Sequence, residues 1–376
     1  MTDIAAPIPA VQRMTLRQRL IRLVADPAFQ ARAARLPLLR RIVRREGDAM
    51  FDLVAGFCHS QVLLALVRLH IPAQLLDATA GTATLAARAA MPVDRMTVLL
   101  NAAASLGLVK QIRDHWSLTV RGAALAGVPG LQGMIAHHDV LYRDLSDPVA
   151  FFRGQVRTEL ADFWPYVFGA GGATDPGVTA TYSALMADSQ ALVAADTIAA
   201  VDWTRSQHVM DVGGGTGAFL TALGLAQAHP RLTLFDLPAV APAAADRFAA
   251  AGLTPRTTIR AGSFRDADLP VGADTITLVR VFYDHADATV AALLARVHAA
   301  LPPGGRLVIS EPMTGGAAPT RAGDAYFALY CMAMRTGRAR SAAQIGTLLG
   351  QAGFVQIFSP AGARPAITTV LTATRH

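Results

Sequence analysis

The sequence predicts an α/β fold: an open, mostly parallel sheet in the C-terminal half, behind a mostly helical N-terminal half. Three observations predict it. From residue 207 onward, short β-rich runs alternate with helix-compatible ones, the rhythm of parallel strands with helical crossovers. Val209 and Met210 lead into DVGGGTG at 211–217, and a helix-compatible run at 219–228 leads out, giving strand, glycine turn and helix. The chain closes on two strand candidates after its last helix, which adds a β-hairpin to the sheet.

The N-terminal elements divide by charge and periodicity. Residues 1–47 form a basic amphipathic arm: residues 1–45 hold ten arginines against Asp3 and Asp26, a net +8 in a chain of net +7. Thr15 to Gln18 is a capping box, with Leu16, Leu20, Leu23 and Val24 following at helical spacing. Asp26 and Pro27 end that helix and start another. Leu38, Leu39, Ile42 and Val43 interleave with Arg40, Arg41, Arg44 and Arg45, a pattern that fits either an anionic membrane surface or packing on a protein face. Residues 51–69 are apolar nearly all round, so that helix needs cover on several sides, as at a subunit interface.

Residues 48–130 read as a winged-helix-like dimerisation domain, with short helices at 72–76, 84–90 and 93–106 and a wing of strands at 107–109 and 116–118. A DNA-reading helix is basic, whereas 96–106 carries no basic residue, so this is a structural module. Residues 131–205 are expected as a helical connector contributing to a substrate pocket. They include the aromatics Phe151, Phe152, Phe163, Trp164, Tyr166 and Phe168, a glycine-rich turn at 169–172 and a helix over 180–201. In 206–376 the expected strands are 208–212, 232–236, 257–261, 274–281, 305–310, 354–358 and 366–373, with helices at 217–228, 240–251, 287–300 and 341–352.

Composition excludes several classes. At 52% hydrophobic and 16% charged, the chain is too apolar for disorder, yet it contains no uninterrupted apolar run of about 18 residues. The first ten residues lack the basic-then-apolar order of a secretory signal. Cys58 and Cys331 give neither a disulfide framework nor metal-ligand spacing. A reducing cytoplasm is the expected setting, with the arm able to lie at the inner membrane. Outside the arm the net charge is about −1, which argues against a nucleic-acid partner.

The chemistry-bearing residues gather at expected strand ends. Gly213, Gly215 and Gly217 let a backbone approach a ligand closely. Asp211 separates two ligand classes. A carboxylate there opposes a dinucleotide pyrophosphate but suits the cationic methionine end of S-adenosylmethionine. Asp236, followed by Leu237, ends the next strand where it can take ribose hydroxyls. Gly262, Ser263 and Phe264 form the third turn, with Phe264 placed to stack on adenine and Ser263 to bond its edge. The fourth strand ends RVFYDH at 280–285, from Arg280 on, and strand carboxyl ends face the cleft in such a sheet. Tyr283 and His285 are therefore candidates to act on an acceptor hydroxyl, and Glu311, at the end of the fifth strand, to orient a histidine or bind substrate. His137, His138, His59 and His298 lack metal-ligand spacing and are read as structural, and no metal is expected.

Together with LFDLP at 234–238, PGGRL at 303–307 and QAGF at 351–354, these motifs resemble the dimeric class I O-methyltransferases over residues 50–375. The resemblance implies a Rossmann-like, seven-stranded domain using S-adenosylmethionine as methyl donor, and a homodimer. More narrowly, FDLVAGFCHS at 51–60, EPM at 311–313 and the run at 324–338 resemble the carotenoid O-methyltransferases of purple phototrophic bacteria. That likeness implies methylation of the tertiary 1-hydroxyl of an acyclic carotenoid of the hydroxyneurosporene type, with the apolar stretch 326–334 lining a polyene channel.

The departures matter. Plant phenol methyltransferases have a catalytic histidine where this chain has Tyr283, and acids where it has Ser263 and Ala339. Their mechanism does not transfer. The alternatives are a methyltransferase for a chlorin, polyketide or phenol, an NAD-binding oxidoreductase, and a winged-helix regulator with an inactive methyltransferase body.

Overall fold

The computed structural model describes residues 14–163, 189–240 and 242–376. Trp164, Tyr166, Phe168, the turn at 169–172 and the start of the 180–201 helix lie outside the described residues; that helix is seen over 189–200.

Three helices make the N-terminal arm: Leu16–Ala25, Pro27–Ala33 and Pro37–Arg68. The Thr15 capping box forms, and Asp26 caps the second helix through the Ala28 N–H. The third helix runs 32 residues without a break, so the expected boundary at residue 47 falls inside it. Every residue from 40 to 54 is exposed, including Ile42, Met50, Phe51, Leu53 and Val54. This stretch therefore projects from the chain's own body over roughly 22 Å. The helix holds an 18-residue window of mean hydropathy 1.7, long and apolar enough by that measure to cross a membrane, with 17% of the window buried. The sequence test missed it because polar residues interrupt the apolar run.

Strands β1 (Ala80–Gly81), β2 (Val109–Ile112) and β3 (His115–Leu118) form a small antiparallel sheet in the order β1-β3-β2. β2 and β3 are the expected wing, with β2 starting at Val109 where the expected strand ends, and β1 is a strand the sequence did not suggest. Arg113, at φ 54°, turns the corner. Helices Thr82–Arg88 and Val93–Ser105 pack on it around Leu85, Met96, Leu100 and Trp116.

The main sheet contains β4 (His208–Val212), β5 (Arg231–Asp236), β6 (Thr257–Ala261), β7 (Thr275–Val279), β8 (Arg306–Glu311), β9 (Phe354–Phe358) and β10 (Thr369–Arg375). Their order is β6-β5-β4-β7-β8-β10-β9. The first five pair in parallel, and β10 inserts antiparallel between β8 and β9. One face packs Leu293, Leu294, Val297, Ile345 and Leu349 from helices Asp287–Ala300 and Ala342–Gln351. The other packs Val193, Phe219, Leu223 and Phe248. With both faces covered, all five residues of the central strand β7 are buried.

Strand β7 ends at Val279, two residues short of the expectation. Arg280 has φ 61° and gives its N–H to Ser310 O, which turns the chain into a 3₁₀ segment at Phe282–Asp284. A fourth cluster joins the helical half to this end of the sheet: Leu141, Phe151 and Leu160 meet Tyr283, Tyr330, Cys331 and Met334.

Candidate active site

The glycine turn after β4 shows why it needs glycine. Gly213, Gly215 and Gly217 have φ of 73°, 59° and 75°. A Cβ on Gly217, which starts helix Ala218–Ala226, would lie 2.8 Å from Phe248. A Cβ on Gly215 would meet nothing within 4 Å, so the backbone is open on that side.

Asp211 sits beneath the turn with no exposed surface. Its Oδ1 accepts the Thr277 hydroxyl at 2.6 Å, and its Oδ2 has no hydrogen-bond partner among the described residues. Burial raises its pKa to about 7 against the Thr277 bond, and Asp236 adds to the rise. A buried carboxylate oxygen left open beside a glycine cradle fits a ligand cation. The Asp236 carboxylate accepts the Gly215 and Leu237 N–H groups, each at 2.6 Å, which opposes the upward pull of burial on its pKa. Both oxygens retain lone pairs for ribose hydroxyls.

The third turn differs in detail from the expectation. Gly262 is needed for packing, because a Cβ would stand 2.8 Å from the Phe235 ring. Ser263 Oγ accepts the Arg265 N–H at 3.2 Å and so holds the turn itself. The half-buried Phe264 meets His285 edge to face, with centroids 5.3 Å apart.

The turn after β7 separates the two candidate bases. Tyr283 points into the fourth cluster, is 3% exposed, and lies under the Arg280 guanidinium 5.9 Å from its ring centre. Burial raises its pKa, so the phenol stays protonated. Arg280 also donates to Ser189 Oγ at 2.7 Å. His285 points the other way. Its Nδ1 faces Arg265 Nη2 at 3.2 Å, and because a guanidinium can only donate, the Nε2 carries the proton. Burial, then Arg265 and Arg340, lower its pKa to about 4. In this arrangement His285 is a neutral donor and has no free basic nitrogen.

Glu311 does not reach His285. Its Oε2 accepts the Phe282 N–H at 2.9 Å, its buried Oε1 has no hydrogen-bond partner among the described residues, and burial raises its pKa to about 8. It grips the turn from below, and Arg340, 1% exposed, grips it from the side. The Arg340 guanidinium donates to Phe282 O at 2.9 Å and His285 O at 2.8 Å, and pairs with Asp287 at 2.6 Å. Glu311 is therefore a positioning residue.

Two residues escaped the sequence reading. Asp284 has a buried Oδ1 with no hydrogen-bond partner among the described residues, and a pKa raised to about 7 by burial, against the pull of Arg280. It was visible as an acid in the same motif, between the two residues singled out. Arg340 had no local signal, since its partners lie over 50 residues away. Among the described residues no group of three or more His, Cys, Asp or Glu is placed to hold a metal ion.

The strand order, the glycine cradle and the acids at the ends of β4 and β5 define a class I methyltransferase fold. The O-methyltransferase domain family matches residues 142–355. The demethylspheroidene O-methyltransferase of Cereibacter sphaeroides is 53% identical over 98% of this chain and 97% of its own length. That of Rhodobacter capsulatus is 54% identical over 91% of this chain and 85% of its own. Among solved structures, human N-acetylserotonin methyltransferase in complex with S-adenosylmethionine superposes with a TM-score of 0.75, at 22% identity, covering 88% of this chain and 97% of that one. The chain belongs to the O-methyltransferase family, and it is an enzyme that takes its methyl group from S-adenosylmethionine.

Proposed function

We propose that this enzyme methylates the tertiary 1-hydroxyl of an acyclic carotenoid of the demethylspheroidene type. The observation that carries this reading is identity above one half, over nearly the whole chain, with two enzymes named for that substrate. The buried apolar cluster beside Tyr283 supports it, because a polyene offers one hydroxyl and otherwise only hydrocarbon.

Bound S-adenosylmethionine supplies an electrophilic methyl group on a cationic sulfur. Asp211 would hold the cationic end of that ligand and Asp236 its ribose, with Gly213, Gly215 and Gly217 admitting its backbone-close approach. Phe264, Gly262 and Ser263 border the adenine side, and Leu237 and Arg280 flank the cleft. Tyr283 and Asp284 face the acceptor side, while Glu311 and Arg340 fix the turn that carries them. Holding two reactants in line in this way is worth up to ~7–11 kcal/mol in favourable systems.

Labelled S-adenosylmethionine with a 1-hydroxy acyclic carotenoid in detergent tests the proposal: label is expected in the extracted pigment. Label only in a chlorin, polyketide or phenol would overturn the substrate.

Homodimerisation and membrane contact belong to the same proposal. The exposed Met50, Phe51, Leu53, Val54 and Phe57 support a second copy packed along the long helix. Nine arginines against Asp26 over residues 14–45 support contact with anionic lipid. Light scattering should give the mass of a dimer, and deletion of residues 1–45 should abolish sedimentation with phosphatidylglycerol vesicles.

A further inference from the structure

Two neighbouring histidines reach across from the helical half to two tyrosines of the catalytic half. His138 Nε2 lies 2.6 Å from Tyr326 Oη, and His137 Nε2 lies 3.1 Å from Tyr330 Oη. The histidines stand on helix Leu131–Asp144, and the tyrosines stand four residues apart on the element that runs from a π-helix, Arg321–Phe327, into Ala328–Met334. Wide π turns inside helices recur at functional sites. The set is continuous with the acceptor side of the turn. Tyr330 shares a cluster with Tyr283, the Tyr326 and Tyr330 rings lie with centroids 6.1 Å apart and planes tilted by 34°, and Arg280 acts electrostatically on Tyr326, Tyr330, Tyr283 and Asp284.

We propose that Tyr326 and His138 form a proton relay for the acceptor alcohol: Tyr326 Oη takes the hydrogen bond of the substrate hydroxyl and passes its own proton to His138 Nε2. This rests on the hydroxyl-methylating reading above. As the substrate oxygen forms its bond to the transferred methyl, the methyl–sulfur bond breaks and its electron pair stays on sulfur. The alcohol proton moves to Tyr326 Oη, and the tyrosine proton moves to the imidazole, which becomes imidazolium.

Each group suits its part. A tyrosine that donates to an imidazole keeps two lone pairs for a hydroxyl donor. Burial raises the Tyr326 pKa, so it acts only by exchanging one proton for another, without ionising. Burial and His137 lower the His138 pKa to about 4, so the imidazole is neutral at rest, and its Nδ1-protonated tautomer leaves Nε2 as the acceptor facing Tyr326. The proton released is that of a protonated ether, a far stronger acid than imidazolium, so a weak base suffices. The His137–Tyr330 pair lies alongside and braces the same two elements.

The test compares wild type with Tyr326→Phe and His138→Gln. Wild-type methylation of the carotenoid is measured alongside, so that failure of the substrate reading appears separately. The expected result is a fall in kcat of about 100-fold in each variant, with the double variant no worse than the singles. Unchanged S-adenosylhomocysteine affinity and thermal midpoint should accompany it, together with loss of the wild-type solvent deuterium effect on single-turnover transfer. Wild type should also bind the 1-hydroxy pigment about fivefold more tightly than its 1-methoxy product, a preference that Tyr326→Phe removes. Variants that keep full kcat, or that lose rate only in proportion to a lowered thermal midpoint while keeping the isotope effect, would overturn the relay.

Discussion

Asp211 should make cofactor affinity depend on pH in a calculable way. Its carboxyl is fully buried, spends one oxygen on Thr277 and leaves the other open, and titrates near pH 7 because of burial and, to a lesser degree, Asp236. Its pKa in the folded protein lies above the ordinary aspartate value of 3.8. Its contribution to the stability of the ligand-free protein is therefore complete below about pH 4 and is lost as the pH rises through about 7. A ligand ammonium pairs only with the ionised form. The ionised fraction falls from about one half at pH 7 to about one hundredth at pH 5, so Kd should rise ~50-fold over that range. Asp211→Asn keeps an acceptor for Thr277 but no charge, and should bind weakly with no slope. Calorimetric titration with S-adenosylhomocysteine measures this, because its amino group, near 7.7–8.0 in a model compound, stays protonated throughout. Asp236→Asn should weaken binding without removing the slope. A wild-type Kd constant within about threefold between pH 5 and 7, or an undiminished slope in Asp211→Asn, would refute the assignment.

Three further outcomes follow from the geometry. Gly217→Ala places a Cβ at φ 75° and against Phe248; by left-handed strain and overpacking together it should cost about 2–4 kcal/mol, read from a denaturant midpoint. Arg340→Met removes donors from two carbonyls under the catalytic turn and leaves Glu311 without its neighbouring charge, so calorimetry should show about 3 kcal/mol less stability, with a fall in kcat. His285→Phe keeps a ring against Phe264 and removes the Nε2 donor and the Nδ1 acceptor that faces Arg265, so kcat should stay within about tenfold of wild type; a loss of ~1000-fold would restore His285 as the base.

The parts of the fold legible in the sequence are those whose causes are local. Three left-handed residues in five positions demand glycine, and so Gly213, Gly215 and Gly217 announced the cradle, with Asp211 and Asp236 fixed beside it by the strand ends. The end of β7 was not legible. TLVRVF reads as one extended run, and what stops it is distant: Ser310 O takes the Arg280 N–H, while Glu311 and Arg340 hold Phe282. The opposite directions of Tyr283 and His285 follow from that same turn. The roles of His137 and His138 carry no local signal, because their tyrosine partners lie 193 and 188 residues further on. The long helix was divided at residue 47 on charge alone. No breaker stands there, and Gly47 is tolerated within a helix.

The substitutions that set this chain apart from a phenol methyltransferase share one physical direction. Where the resemblance to plant phenol methyltransferases implies a histidine and two acids, this chain has Tyr283, Ser263 and Ala339. Ala339 packs against the cluster around Tyr283 and Tyr330, so a methyl group faces the place where an acid would stand. A phenol can be ionised before attack, and charged groups help to do it. An alkyl alcohol cannot, so its proton leaves only as the new C–O bond forms, and a resting charge beside it would serve nothing. That charge would also be expensive, because a site shaped for hydrocarbon gives it no water. The remaining acids fit the same logic: burial raises Asp284 to about 7 and Glu311 to about 8, which keeps both largely or half neutral at physiological pH. Methyl transfer from a sulfonium to a neutral alcohol spreads one positive charge over two atoms instead of creating a pair. A low-dielectric acceptor site does not oppose that change, and neutral tyrosine and imidazole are then sufficient to carry the proton away.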